Sequence, residues 1–216
     1  SWLSREAWAA LATLLVMAPL ALSDWLGLGW PRAIGVLGAV LALATVLTTS
    51  MIYAQIKAVP RWHHWLTLVY FQAFALTGGA ILSGHRWIAL ALLVVLTAVL
   101  GAIWRIGDGA FARAGQTLGT ATGLGAIGEV TVFEQAHTAG NYLLREMIFV
   151  VGRKHAAKLR VLALSFACAL PMLLLLLPFW PAVVLAAISH IVGALAARWL
   201  FFAEAEHVVG LYYGMR

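Results

Sequence analysis

RWIALALLVVLTAVLGAIWR (86–105) decides the fold. Apart from Thr97 and the indoles of Trp87 and Trp104, nothing between the two arginines carries a polar side chain. A hydrocarbon core of about 30 Å needs roughly 20 apolar helical residues. A helix apolar on every side belongs inside lipid, because it has no polar face to offer water.

Working outward, the same reading places spans at about 7–28, 33–55, 65–83, 87–104, 161–179 and 182–203, six in all. The expected fold is therefore an all-α integral membrane protein, one transmembrane helical domain over residues 1–216. Pro31, Pro60 and Pro181 fall between spans, whereas Pro19, Pro171 and Pro178 lie within or near the ends of spans. Composition agrees: 63% of the 216 residues are hydrophobic and 10% charged. The net charge of +6 does not point to nucleic acid, since basic residues in such chains sit in loops and set topology. A lone Cys168 in an apolar run excludes an internal disulfide and any cluster held by cysteine. No basic leader with a cleavage site is visible, and with a start at Ser1 rather than Met the true N-terminus is expected upstream.

Alternating the spans puts Arg5, Lys57, Arg61, Arg105, Arg113, Arg145, Arg153, Lys154, Lys158 and Arg160 on one side, and only Arg32 and Arg86 on the other. By the positive-inside rule the first side is cytoplasmic. A multi-pass protein of a bacterial inner membrane is expected. Residues 106–160 form the one extramembrane stretch longer than a turn. It reads either as a flexible connection or as a docking surface for a partner, with Phe133, Tyr142, Leu143, Met147 and Phe149 as apolar anchors.

Ionisable groups are costly in lipid, so their gathering at one face is informative. Trp2, Arg5 and Glu6 open the first span. Tyr53 and Lys57 close the second, His63 precedes the third, and Arg198 and Glu204 close the sixth. Such a set, with apolar walls, suits a quinone: donors fix the carbonyl oxygens, aromatic rings flank the head group, and carboxylates or imidazoles move the accompanying protons. Each residue also has a plainer reading. Ser4 can cap the first helix with Glu6 in its first turn, the aromatics can form an interfacial belt, and Lys57 and Arg61 can serve topology. Arg198, inside the last span, needs a snorkelling route or an acidic partner such as Glu204 or Glu206. Haem is not expected, because only His190 lies deep in a span and no second His stands at matching depth.

Read together, SWLSRE (1–6), MIYAQIKAVPRWH (51–63), ATGLGAIGEV (121–130), EQAHTAGNYLLREM (134–147), RKHAAKLR (153–160) and RWLFFAEAEHVVGLYYG (198–214) resemble the membrane anchor subunit of the dimethyl sulfoxide reductase family (DmsC type). They are closest to the branch that serves cytoplasmic sulfite dehydrogenases. The resemblance implies a quinone-reactive anchor subunit without a metal of its own. Its partners would be a ferredoxin-like subunit with four [4Fe–4S] clusters and a molybdopterin catalytic subunit. Family anchors have eight helices, and SWLSRE resembles the stretch before the family's third, so two helices are expected upstream. The family's acidic residue at the start of that helix matches Glu6, which makes Glu6 the leading quinone-site candidate. Sulfite oxidation is favoured over dimethyl sulfoxide reduction, and a purely structural tether or a stand-alone transporter is the alternative.

Overall fold

The computed structural model describes residues 1–134 and 154–213. Every regular element among them is helical. The long ones are α1 (Trp2–Trp25), α2 (Arg32–Ala54), α3 (Leu66–Leu82) and α4 (Arg86–Gly107). Two short turns follow, α5 (Ala110–Arg113) and α6 (Leu118–Thr122), then α7 (Ala156–Leu176) and α8 (Pro181–Ala203). The last described element is a 3₁₀ turn, Val208–Tyr213. α1, α2, α4, α7 and α8 are long and apolar enough to cross a membrane, and α3 is a shorter apolar helix. The spans expected from sequence all appear, with shifted ends.

Two of those shifts matter. α1 begins at Trp2, because Ser1 Oγ accepts the Ser4 amide at 3.3 Å and caps it. Ser4 is therefore inside the helix and not its cap, and Glu6 lies beyond the first turn. α4 runs to Gly107 and α7 starts at Ala156, so the connection between them is shorter than 106–160. Within it Phe133 is fully exposed. Tyr142, Leu143, Met147 and Phe149 lie outside the described residues.

α3, α4, α7 and α8 pack on one another, and the α1–α2 hairpin joins them through α2 against α3. The contacts are built from small residues. Ala89, Ala163, Ala167, Ala182 and Ala186 are completely buried, whereas Val94, Leu173, Ile188 and Leu195 face outward. Lipid is as apolar as leucine, so close backbone approach and hydrogen bonds hold membrane helices together better than large side chains do.

The tightest approach is between α7 and α8. Pro171 has no N–H, so α7 cannot complete its hydrogen-bond ladder there. A π-helical turn at Ser165–Ala169 precedes it, with the Leu170 amide donating to the Ser165 carbonyl. The carbonyls of Phe166 and Ala167, which face the missing donor, are met from α8. Ser189 Oγ donates to Phe166 O at 2.8 Å, and His190 Nδ1 stands 2.8 Å from Ala167 O. Only a protonated Nδ1 satisfies a carbonyl, so the contact sets the tautomer of His190.

One end of the bundle gathers the N-terminus of α1, the α2–α3 connection, residues 108–134 and the segment after α8. We call it the basic face. Trp62 Nε1 donates to Phe201 O at 2.9 Å, the Val208 amide to Ala58 O at 2.9 Å, and Tyr212 Oη to Ala121 O at 2.8 Å. These bonds knit the separate connections into one layer over the helix ends.

Candidate functional site

At that layer two arginines and two carboxylates alternate. Arg61 Nη2 reaches Asp108 Oδ1 at 2.7 Å, and Arg61 Nη1 reaches Glu204 Oε2 at 3.4 Å. Arg160 Nε donates to Glu204 Oε1 at 2.7 Å and its Nη1 to Asp108 Oδ2 at 2.8 Å. Arg61 Nε also donates to the Glu204 carbonyl at 3.0 Å. The four residues come from the α2–α3 connection, the end of α4, the start of α7 and the end of α8, so the ring fastens four elements together. Glu204 is buried. A buried carboxylate is stable there only because both guanidinium groups reach it. The hydrogen bond from Arg160 holds the Asp108 carboxyl below its usual range. Burial draws the Arg61 guanidinium down, with Glu204 and then Asp108 opposing it. Burial also lowers His207, outside the spans.

Arg198 does not take part in that ring. Glu204 follows it by six residues, roughly 240° around a helix at 100° per residue, which turns the carboxylate to another face. Arg198 meets Tyr53 of α2 instead, its Nη2 donating to Tyr53 Oη at 2.6 Å. Its Cζ lies 4.7 Å from the ring centres of Tyr53 and Phe202 and 4.8 Å from that of Phe71, so aromatic faces attract the charge. The expected acidic partner is replaced by a phenol and a cage of rings. Among the described residues Nη1 has no hydrogen-bond partner and is shut off from solvent.

Glu6 accepts a 2.6 Å hydrogen bond from Thr49 Oγ1 of α2, and Thr45 on the turn below exchanges one with Thr13 at 3.0 Å. Arg5 lies over the Trp2 ring at 4.3 Å. Thr49 and Tyr53 are four residues apart on α2 and therefore neighbours on its surface. α2 thus carries both polar pairs, Glu6–Thr49 and Arg198–Tyr53, on successive turns. His63 is spent locally, its Nδ1 2.7 Å from the Ala54 carbonyl, which folds the α2–α3 connection back on itself. Lys57 is exposed on that connection.

Between α3 and α8 runs a groove of about 490 Å³ that opens sideways, lined by Tyr70, Phe71, Phe74, Gly78, His190 and Arg198 among others. The apolar pattern of the two helices does not reveal it. Its signal was the pair Gly78–Gly79 in the C-terminal part of α3, where absent side chains leave a hollow.

No family model matches the chain, and no solved structure does. Along 99% of its length the chain is similar to a subunit of the sulfite dehydrogenase of Allochromatium vinosum, 26% identical over 244 aligned residues that cover 74% of that protein.

Proposed function

We propose that this chain is the membrane subunit of a multi-subunit, molybdopterin-dependent oxidoreductase of the sulfite dehydrogenase kind, and that it passes electrons between an iron–sulfur partner and the quinone pool. The similarity to a sulfite dehydrogenase subunit along nearly the whole chain carries the oxidoreductase part of the reading. The basic face supports docking: the α2–α3 connection, three helix ends and the last segment are fixed into one layer there. That face also gathers most of the loop arginines and lysines, which supports reading it as the cytoplasmic side of a bacterial inner membrane.

The chemistry balances. A catalytic partner that converts sulfite and water to sulfate releases two electrons and two protons, and a quinone takes up two of each to become a quinol. This chain contributes position and proton contacts. The Glu6 carboxylate, held by Thr49, and the Tyr53 phenol, held by Arg198, stand on successive turns of α2, where a head group entering from lipid would meet hydrogen-bonding atoms. Sulfite is favoured over dimethyl sulfoxide as substrate of the complex because the relative belongs to a sulfite dehydrogenase.

Affinity purification of the full chain from its native membrane tests this. An iron–sulfur protein and a molybdopterin protein should co-purify with quinone-coupled turnover. A chain that purifies alone, and supports solute flux without partners, would make it a transporter. A complex with equal quinone turnover when this chain is stripped away would make it a tether only.

A further inference from the structure

We propose that the groove between α3 and α8 is the berth of a lipid-soluble quinone, with its head group at Arg198 and its tail running toward His190; this rests on the quinone reading above. Its size is suitable, since small-molecule sites run from about 300 to 1,000 Å³, and the groove holds about 490 Å³.

Three observations select the occupant. The first is the unspent cation. An arginine has several N–H donors, and Arg198 gives one hydrogen bond, to Tyr53 Oη, with no carboxylate against it among the described residues. The rings of Tyr53, Phe71 and Phe202 attract its charge, but among the described residues the buried Nη1 donor is left without an acceptor, and a buried donor calls for one. The second is the wall. Tyr70, Phe71 and Phe74 present rings to the hollow, and Tyr70 is itself packed edge-on against both of the others. Flat π-faces suit a flat conjugated ring better than they suit an acyl chain.

The third observation is depth. Arg198 stands five residues before the end of α8 at Ala203, about 8 Å inside at 1.5 Å per residue. A phospholipid phosphate stays at the interface, whereas a quinone ring enters the hydrocarbon. His190 lies about 12 Å further along the same helix. It is buried, and its Nδ1 is committed to Ala167. Its ring therefore shapes the inner end of the groove and does not meet the head group. Gly78 and Gly79 leave room beside His190: a Cβ at Gly78 would touch its ring at 3.5 Å, and one at Gly79 would meet nothing within 4 Å.

The test is photolabelling of the full chain in lipid nanodiscs with a short-tailed azido-ubiquinone, with the attachment site mapped by mass spectrometry. Label should fall on 66–82 and 181–203 and drop at least tenfold with excess decylubiquinone. Gly79→Leu, whose Cβ would meet nothing within 4 Å and whose longer side chain would take up room in the groove, should remove it to the same degree. Arg198→Met should weaken it at least tenfold, and Leu185→Phe, on α8 outside the groove, should leave it unchanged. Label confined to α1 and α2 would overturn the berth and leave the quinone reading standing. Groove label displaced by phospholipid and not by decylubiquinone would make it a lipid site and overturn the proposal. No displaceable label anywhere on the chain would sink both readings.

Discussion

Gly193 of α8 lies so close to Ala167 of α7 that a Cβ placed on it would stand 2.0 Å from the Ala167 backbone nitrogen. The approach is what lets Ser189 and His190 reach the two carbonyls beside Pro171. Gly193→Ala should therefore separate the helices and break both hydrogen bonds. Gly38 gives the comparison: a Cβ there meets Met17 Sδ at 2.2 Å, but a methionine side chain swings aside. In detergent, thermal unfolding should shift strongly for Gly193→Ala and little for Gly38→Ala. Equal shifts would contradict the packing described.

The alternating ring at the basic face makes a graded prediction. Glu204→Ala leaves two arginines facing a buried void, and breaking such a pair costs about 3–5 kcal/mol. Asp108 is about half exposed, with 48% of its side chain accessible, so water screens its pairs and Asp108→Asn should cost about 0–1 kcal/mol. Unfolding of the purified chain by denaturant, compared between the two variants, measures the order. A larger loss from Asp108→Asn would contradict it.

Acid should unfasten the same ring from its exposed side. The folded value of Asp108 is depressed, chiefly by the hydrogen bond from Arg160. Its contribution is therefore fully present above the unfolded carboxyl value, about 3.9, and is lost as pH falls through the lower folded value. Stability measured from pH 7 downward should hold to about pH 4 and then decline, with the Asp108 part of the decline absent in Asp108→Asn. A loss of that part beginning near neutrality would contradict the assignment.

Glu6→Gln keeps the shape of the side chain and removes its capacity to carry a proton. Quinone-coupled turnover of the complex should fall by roughly tenfold or more, while turnover with a soluble dye that accepts electrons from the iron–sulfur partner should persist. Equal loss of both would mean that Glu6 acts on assembly.

Deleting residues 120–150 should release the soluble partners from the membrane and leave the helices assembled. Partners that stay bound after the deletion would move the docking site to the α2–α3 connection or to the segment after α8.

How much of this was legible follows from what lipid does to sequence patterns. A span such as 86–105 is plain, because its length and uniform apolarity are set by the bilayer. Which side of it faces protein is not, because lipid and protein interior are equally apolar: Ala89 is buried and Val94 exposed, yet both read as span. The groove was hidden for that reason. Arg198 was legible as a cation in need of a partner, but the partner, Tyr53, lies 145 positions away. Arg61 and Asp108 read as loop charges, since nothing local reveals that the fold brings the α2–α3 connection and the end of α4 to Arg160 and Glu204. The role of Pro171 was half visible: a proline inside a span announces orphaned carbonyls, and Ser189–His190 were the nearby donors that could be sought.

Whether this chain connects a soluble redox pair to quinone is decided by reconstitution. The soluble partners should be assayed with decylubiquinone in liposomes, with and without this chain. Quinone-coupled turnover should appear only when the chain is present, at unchanged dye-coupled turnover. Soluble partners that turn over quinone equally fast without it would contradict the claim.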